Sequence, residues 1–289
     1  AVTRLKLTGF RNYAHLDLTL DARPAALFGP NGAGKTNLVE AVSFLGPGRG
    51  VRAAGSEAVR RRTDAGPDPV WGVYAEAMTM EGPVSLATGS DPADPARRRT
   101  KLDGAAATQS ALARLFPMLW LTPREDRLWA GPRSDRMRFF DRLVLAGAPD
   151  HGAQATAYEK AQRERQRLLD RQAEGGRADP AWLDALESRM AAAGSAMAAA
   201  RLDALARLQA EIDDRPDTAF PKADLGLEGV VEARMAGGDS AGEAEAWFAD
   251  ALKRARPRDM AAGRNLTGPH RTELAAAHRA KAQAASECS

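Results

Sequence analysis

Gly29-Pro30-Asn31-Gly32-Ala33-Gly34-Lys35-Thr36 fits the phosphate-loop pattern of Gly, four free positions, then Gly-Lys-Thr. Ala25-Ala26-Leu27-Phe28 before it reads as a short strand, uniformly apolar as a parallel strand buried on both faces is. Asn37 to Leu45 reads as a helix, with Leu38, Ala41, Val42 and Leu45 on one face. The glycines let consecutive N–H groups point at a phosphate, and the helix offers its positive end to the same anion. Lys35 is placed to reach the β- and γ-phosphates and the Thr36 hydroxyl to take one position on Mg²⁺. Together with Asn37, the stretch predicts an ATP-type triphosphate site in an α/β lobe.

Around the loop, Val2 to Leu7 and Leu16 to Leu20 alternate as half-buried strands do, and Val70 to Ala77 and Val84 to Ala87 are further strand candidates. After about residue 110 the pattern turns helical. Helices are expected over 109–116, 133–146 and 151–174, the last with Tyr158, Ala161, Arg165 and Leu168 or Leu169 along one side. Gly175-Gly176 breaks it. Asp179 as N-cap and Pro180 at the first position then start a second long helix running to about Ile212, roughly 45–50 Å. Two long helices joined by a short break predict an antiparallel arm, which Pro216 and Pro221 end. Leu225 to Val231 is strand-like, and Ser240 to Arg254 helical. Met118-Leu119-Trp120-Leu121 reads as a buried strand, with an apolar partner patch as the other reading.

Hydrophobic residues make up 44% of the 289, enough for a sizeable core, and the net charge of +3 permits a nucleic-acid partner without demanding one. The single cysteine, Cys288, excludes an internal disulfide, and the four histidines are too dispersed to predict a metal centre. With no signal peptide and no apolar run long enough to span a bilayer, a soluble, cytoplasmic protein without a membrane partner is expected.

Several separate stretches together resemble one family, the bacterial recombination protein RecF, a head-only relative of the SMC and ABC ATPases. They are Leu5 to Tyr13 with its Phe10-Arg11-Asn12-Tyr13, the phosphate loop continued as Asn37 to Ala41, Pro47 to Arg52, Pro123, Arg136 to Asp141, Tyr158 to Ala161, and Asn265 to Arg271 with its Gly-Pro-His-Arg loop. Met137, Arg124-Glu125 and Gln166 depart from the family pattern. The resemblance implies an α/β fold: a P-loop ABC/SMC-like ATPase lobe with an inserted, mainly helical lobe carrying a long helical hairpin. The segments are 1–113 for the ATPase lobe, 114–254 for the helical lobe, and 255–289 for a return segment leading towards the signature motif.

It further implies a DNA repair and recombination protein that binds single-stranded and duplex DNA at gaps or junctions. It would work with RecO and RecR to help load recombinase, and dimerise with ATP, which is sandwiched between the phosphate loop of one subunit and the signature of the other. The signature, the Walker B aspartate and the catalytic glutamate would lie beyond Ser289, so little or no ATP hydrolysis is expected of this chain, against a weak DNA-dependent ATPase in the family.

Arg11, just after the first strand, is a candidate nucleotide contact, with a surface arginine the alternative. Arg60-Arg61-Arg62 and Arg97-Arg98-Arg99 with Lys101 are compact positive clusters. With Arg124, Arg127, Arg133, Arg136 and Arg138 they are candidates for a phosphate-tracking DNA surface, a solvated charged face being the other reading of each cluster. His270 is a candidate sensor of nucleotide or dimer, with a capping or turn role the alternative. A transporter-type ABC ATPase subunit and a small-molecule P-loop kinase are the rival readings. The Phe-Arg-Asn-Tyr start and the long helices argue against the first; the long helical arm and the arginine clusters have no role in the second.

Overall fold

The computed structural model describes the chain except residues 124, 288 and 289, and except the side chains of residues 109, 110 and 113. The readings that rested on Arg124, Cys288 and Ser289 lie outside the described residues. The chain divides into two compact units, Ala1–Thr122 and Pro123–Ser289.

The first unit is built on an antiparallel sheet. Its elements in order are β1 (Val2–Phe10), β2 (Tyr13–Thr19), α1 (Lys35–Ser43), the two-residue strands β3 (Arg62–Thr63) and β4 (Gly66–Pro67), β5 (Gly72–Thr79), β6 (Gly82–Ser90), β7 (Arg98–Leu102), β8 (Ala105–Ala106) and α2 (Gln109–Leu115). The six-stranded sheet runs β2-β1-β5-β6-β7-β8. Strand alternation buries Leu5 and Leu7 of β1 and Val73, Ala75 and Ala77 of β5. Leu38 and Ala41 of α1 join the same core, closed by Phe10, Phe44 and Trp71 in edge-to-face contacts at 5.4–5.8 Å.

Two sequence expectations fail in this unit. Residues 25–28 form no strand: they are exposed, Phe28 at 95%. An apolar strand buries both faces only between neighbours, and the described residues place none beside it. Met118 to Leu121 also forms no strand, and Leu121 stands 70% exposed.

The second unit contains α3 (Arg133–Gly147), α4 (His151–Ala173), α5 (Pro180–Asp214), β9 (Ala223–Glu228), α6 (Val230–Ala236), α7 (Ala241–Ala262), β10 (Glu273–His278) and β11 (Gln283–Ala284), with sheet order β11-β10-β9. The Asp179 carboxylate accepts from the Ala181 N–H at the start of α5. Ser240 and Glu243 form a capping box that starts α7. The buried row of α4 is Tyr158, Ala161, Arg165 and Leu169. Ala191, Ala193, Gly194 and Ala198 of α5 are small enough for close approach, and Phe248 and Leu252 of α7 pack into the same core. The hairpin is thus braced by a third helix. Leu225 to Val231 is strand only to Glu228. Gly229 then caps α6, because Val231 and Glu232 turn into the helical core, where both are fully buried. Residues 255–262 continue α7, and 273–278 pair with β9.

Candidate functional site

The phosphate loop is made by positive-φ glycines, Gly29 at +145°, Gly32 at +85° and Gly34 at +102°. Gly34 is the N-cap of α1 in left-handed conformation. It has no side chain to offer the first-turn N–H groups, and the first turn holds no acidic residue. The helix end is therefore left positive by its own sequence, as an anion site requires. Residues 29–33 and Thr36 are exposed. Lys35 Nζ donates to the carbonyls of Gly29 and Pro30 at 2.7 and 2.8 Å, which holds its ammonium over the loop.

Behind the loop lies a charged network that motif spacing did not reveal. Glu40, one turn after Thr36 on α1, is fully buried. Arg11 grips it with both prongs, Nε to Oε2 at 2.8 Å and Nη2 to Oε1 at 2.6 Å, and donates from Nη1 to the Ala58 carbonyl. Arg52 adds a bond to Oε2 at 2.9 Å and one to Asn37 Oδ1 at 2.9 Å. Asn37 Nδ2 in turn donates to Asn12 Oδ1 at 2.8 Å. Asn12 and Tyr13 stand directly against Gly34: a methyl group there would lie 2.6 Å from Asn12 Nδ2 and 2.7 Å from Tyr13 Oη. The Arg11 guanidinium is thus committed to Glu40. Glu40, Arg52, Asn12 and Tyr13 hold the loop and its helix in register. An acid one turn past the Lys-Thr, with arginines at 11 and 52, was the available signal.

The positive clusters separate on folding. Arg98 lies on the packed face of β7. Its Nη2 donates to the carbonyls of Phe44 and Gly46 at 2.7 and 2.8 Å, its Nη1 to Gly48 at 2.5 Å, and its Nε to Thr88 Oγ1 at 2.8 Å. It closes the C-terminal end of α1, where a cation suits the helix dipole. Burial lowers its pKa to about 10. Arg97, Arg99 and Lys101 are exposed, Arg99 beside Asp91 at 2.6 Å. Arg62 is exposed; Arg60 is half-buried, and Arg61 faces Asp68 at 3.7 Å.

In the second unit the Gly268-Pro269-His270-Arg271 loop is held from several sides. Arg133 donates to the carbonyls of Arg271 and His270, and Arg136 pairs with Glu273 at 2.6 Å. Arg201, 3% exposed, donates to the Pro269 carbonyl at 2.8 Å while gripping Asp141 with both prongs and Glu232 at 3.3 Å. Burial alone would raise the Asp141 pKa; hydrogen bonds from His151 and Arg201 outweigh it and hold it below the usual carboxylate value.

Both ring nitrogens of His270 are engaged, Nε2 with the Asn265 carbonyl at 3.0 Å and Nδ1 with Tyr158 Oη at 2.8 Å. A carbonyl only accepts, so Nε2 carries the proton and Nδ1 accepts from the Tyr158 hydroxyl, which burial keeps protonated. Burial holds the His270 pKa below its ordinary value, with Arg271 and Arg133 acting the same way against the Asn265 carbonyl.

A histidine depressed in the folded state binds its proton first in the unfolded chain. Its stabilising contribution is therefore complete above about pH 6.5 and falls as pH drops from there towards the folded value. The difference in unfolding free energy between this chain and His270→Gln is expected to shrink from pH 7 to pH 5.5 in urea titrations. A difference independent of pH would refute the neutral-imidazole assignment.

Among the described residues no helix is long and apolar enough to cross a membrane. Residues 4–51 match a family model described as the AAA domain. The whole chain is 48% identical to the DNA replication and repair protein RecF of Caulobacter sp. strain K31, and covers 76% of that protein. It is 48% identical to the RecF of Caulobacter vibrioides, with the same coverage, and 44% identical to that of Rhizobium etli. Among solved structures, the recombination mediator protein RecF described as RecF-ATPrS in the RecFOR pathway superposes with a TM-score of 0.85 at 16% identity, covering 96% of this chain and 73% of that one. That likeness establishes the fold, and the sequence identity establishes the kinship: the chain belongs to the RecF family of DNA replication and repair proteins.

Proposed function

We propose that this chain is an ATP-binding head that acts on DNA by closing with a second head. The observation that carries the reading is the uncapped, acid-free N-terminus of α1, with Lys35 above it and Thr36 exposed beside it, in a chain of this family. These residues fit a triphosphate: the N–H groups of residues 32–36 would cradle its oxygens, Lys35 would pair with the β- and γ-phosphates, and Thr36 would hold one position on Mg²⁺. When bound, the nucleotide supplies the negative charge that a second head recognises. Arg11 acts here as a positioning residue through Glu40.

The DNA assigned to the head is a gap or a single-strand/duplex junction, approached in company with RecO and RecR to help load recombinase. Contacts to phosphates are given to the exposed Arg62, Arg97, Arg99 and Lys101, with Arg60 and Arg61 at the margin. Arg98 stays inside, tied to α1. Such binding is salt-sensitive and weak in sequence preference.

The test is self-association by light scattering, with and without ATP and gapped DNA. It is run on this chain and on one carrying the additional length of its relatives. ATP-dependent dimers of the longer chain, strengthened by gapped DNA, are expected. If neither chain associates with ATP, the closing-head reading fails.

A further inference from the structure

The turn between α4 and α5 carries a surface that the nucleotide site does not use. A groove of about 340 Å³ opens there, floored by Leu168 and Trp182 and rimmed by Arg167, Arg171 and Arg177. Trp182 is 57% exposed and has no aromatic or cationic partner among the described ring contacts. The three arginines are exposed, and none is in an ion pair among the described residues. Four other arginines of the same hairpin are paired: exposed Arg163 and Arg207 with Glu159 and Asp203 one turn away, while buried Arg165 and Arg201 each hold two carboxylates. Exposed Arg189 on α5 is also without an ion pair among the described residues but does not line the groove.

An exposed indole with unpaired guanidinium groups around an apolar floor has the composition of a binding hot spot. Arg167 and Arg171 are four residues apart on α4, so they project from one face about 6 Å apart along the helix. Each can take a carboxylate through two parallel bonds. Two features favour a peptide over a nucleic-acid strand. Trp182 is the one aromatic of the groove, where a strand needs successive stacking platforms. Glu164 and Asp179 interrupt the positive rim, and a regular chain of phosphates would have to pass them. A peptide places its carboxylates discretely and has one side chain to bury.

We infer that this groove docks a short acidic segment of a partner protein, one large apolar side chain seated against Trp182 and its flanking carboxylates on Arg167, Arg171 and Arg177. The probe is a fluorescein-labelled pool of short peptides with Asp or Glu at every position except two adjacent ones, which vary over Phe, Trp, Leu and Ile. Its anisotropy is followed with the full chain. Saturable binding in the micromolar range is expected, weakened about tenfold or more by Trp182→Ala and by Arg171→Glu, and likewise when Ser replaces the apolar pair. Both residues are exposed, so far-UV circular dichroism and the unfolding midpoint should not change. Absence of saturable binding, or binding indifferent to both variants, overturns the assignment. So does a thymidine oligonucleotide that displaces the peptides and depends more strongly on Trp182, which would make the groove a single-strand site.

Discussion

Arg165→Met is expected to lower the unfolding free energy of the second unit by about 3–5 kcal/mol, the range for removing one partner from a buried ionic cluster. Arg165 has no exposed surface. Its Nε donates to Glu187 at 2.9 Å, its Nη1 to Asp259 at 2.7 Å and to Asn265, and its Nη2 to the Leu252 carbonyl at 2.8 Å. Methionine fills much of the volume but answers none of these acceptors. Glu187 keeps Arg256, whereas the fully buried Asp259 carboxylate retains, among the described residues, only the Leu266 N–H. A loss of this size is a large part of a typical domain's 5–15 kcal/mol. Urea titration by far-UV circular dichroism reads it directly. A change below about 1 kcal/mol would mean that the carboxylates are neutralised in place without cost, and would remove the cluster as a determinant of the helical unit.

Gly34→Ala is expected to weaken binding of a fluorescent ATP analogue by about 100-fold, comparable to Lys35→Ala, through a different cause. Lysine removal deletes a charge. The alanine methyl forces a residue at φ +102° and drives into Asn12 and Tyr13, each less than 3 Å away. The control is Gly32→Ala. Gly32 is also at positive φ, +85°, with nothing within 4 Å of the added carbon. It carries backbone strain of about 1–3 kcal/mol without the collision. Equal losses at 32 and 34 would show that the Asn12–Tyr13 contact does not position the loop.

What could be read from the sequence followed physical locality. The loop, its helix and the helical hairpin rest on spacing, caps and glycines, all of them short-range signals. Asp179, Pro180 and Ser240 mark helix starts for that reason. Residues 25–28 depart from their apolar pattern because a wholly apolar run is a buried strand only if other strands flank it, and flanking is a property of the fold. The three consecutive arginines at 97–99 could not be told apart until β7 was recognised. The alternation of a strand then sends Arg98 inward with Thr100 and Leu102, and Arg99 and Lys101 outward. Glu40 leaves no mark in motif spacing because its partners, Arg11 and Arg52, are brought to it by separate turns of the chain.

Arg201 has a consequence in time. Its partners Glu232, Asp141 and Pro269 stand 31, 60 and 68 residues away along the chain. A guanidinium gives up its water for such a set only when all the segments have arrived, after most of the loop-closure entropy has been lost. Bonds completed that late contribute little to the rate of folding and most of their effect to the rate of opening. The hub beneath the Gly-Pro-His-Arg loop therefore works as a latch, and what it chiefly sets is how long the assembled lobe persists before it next comes apart.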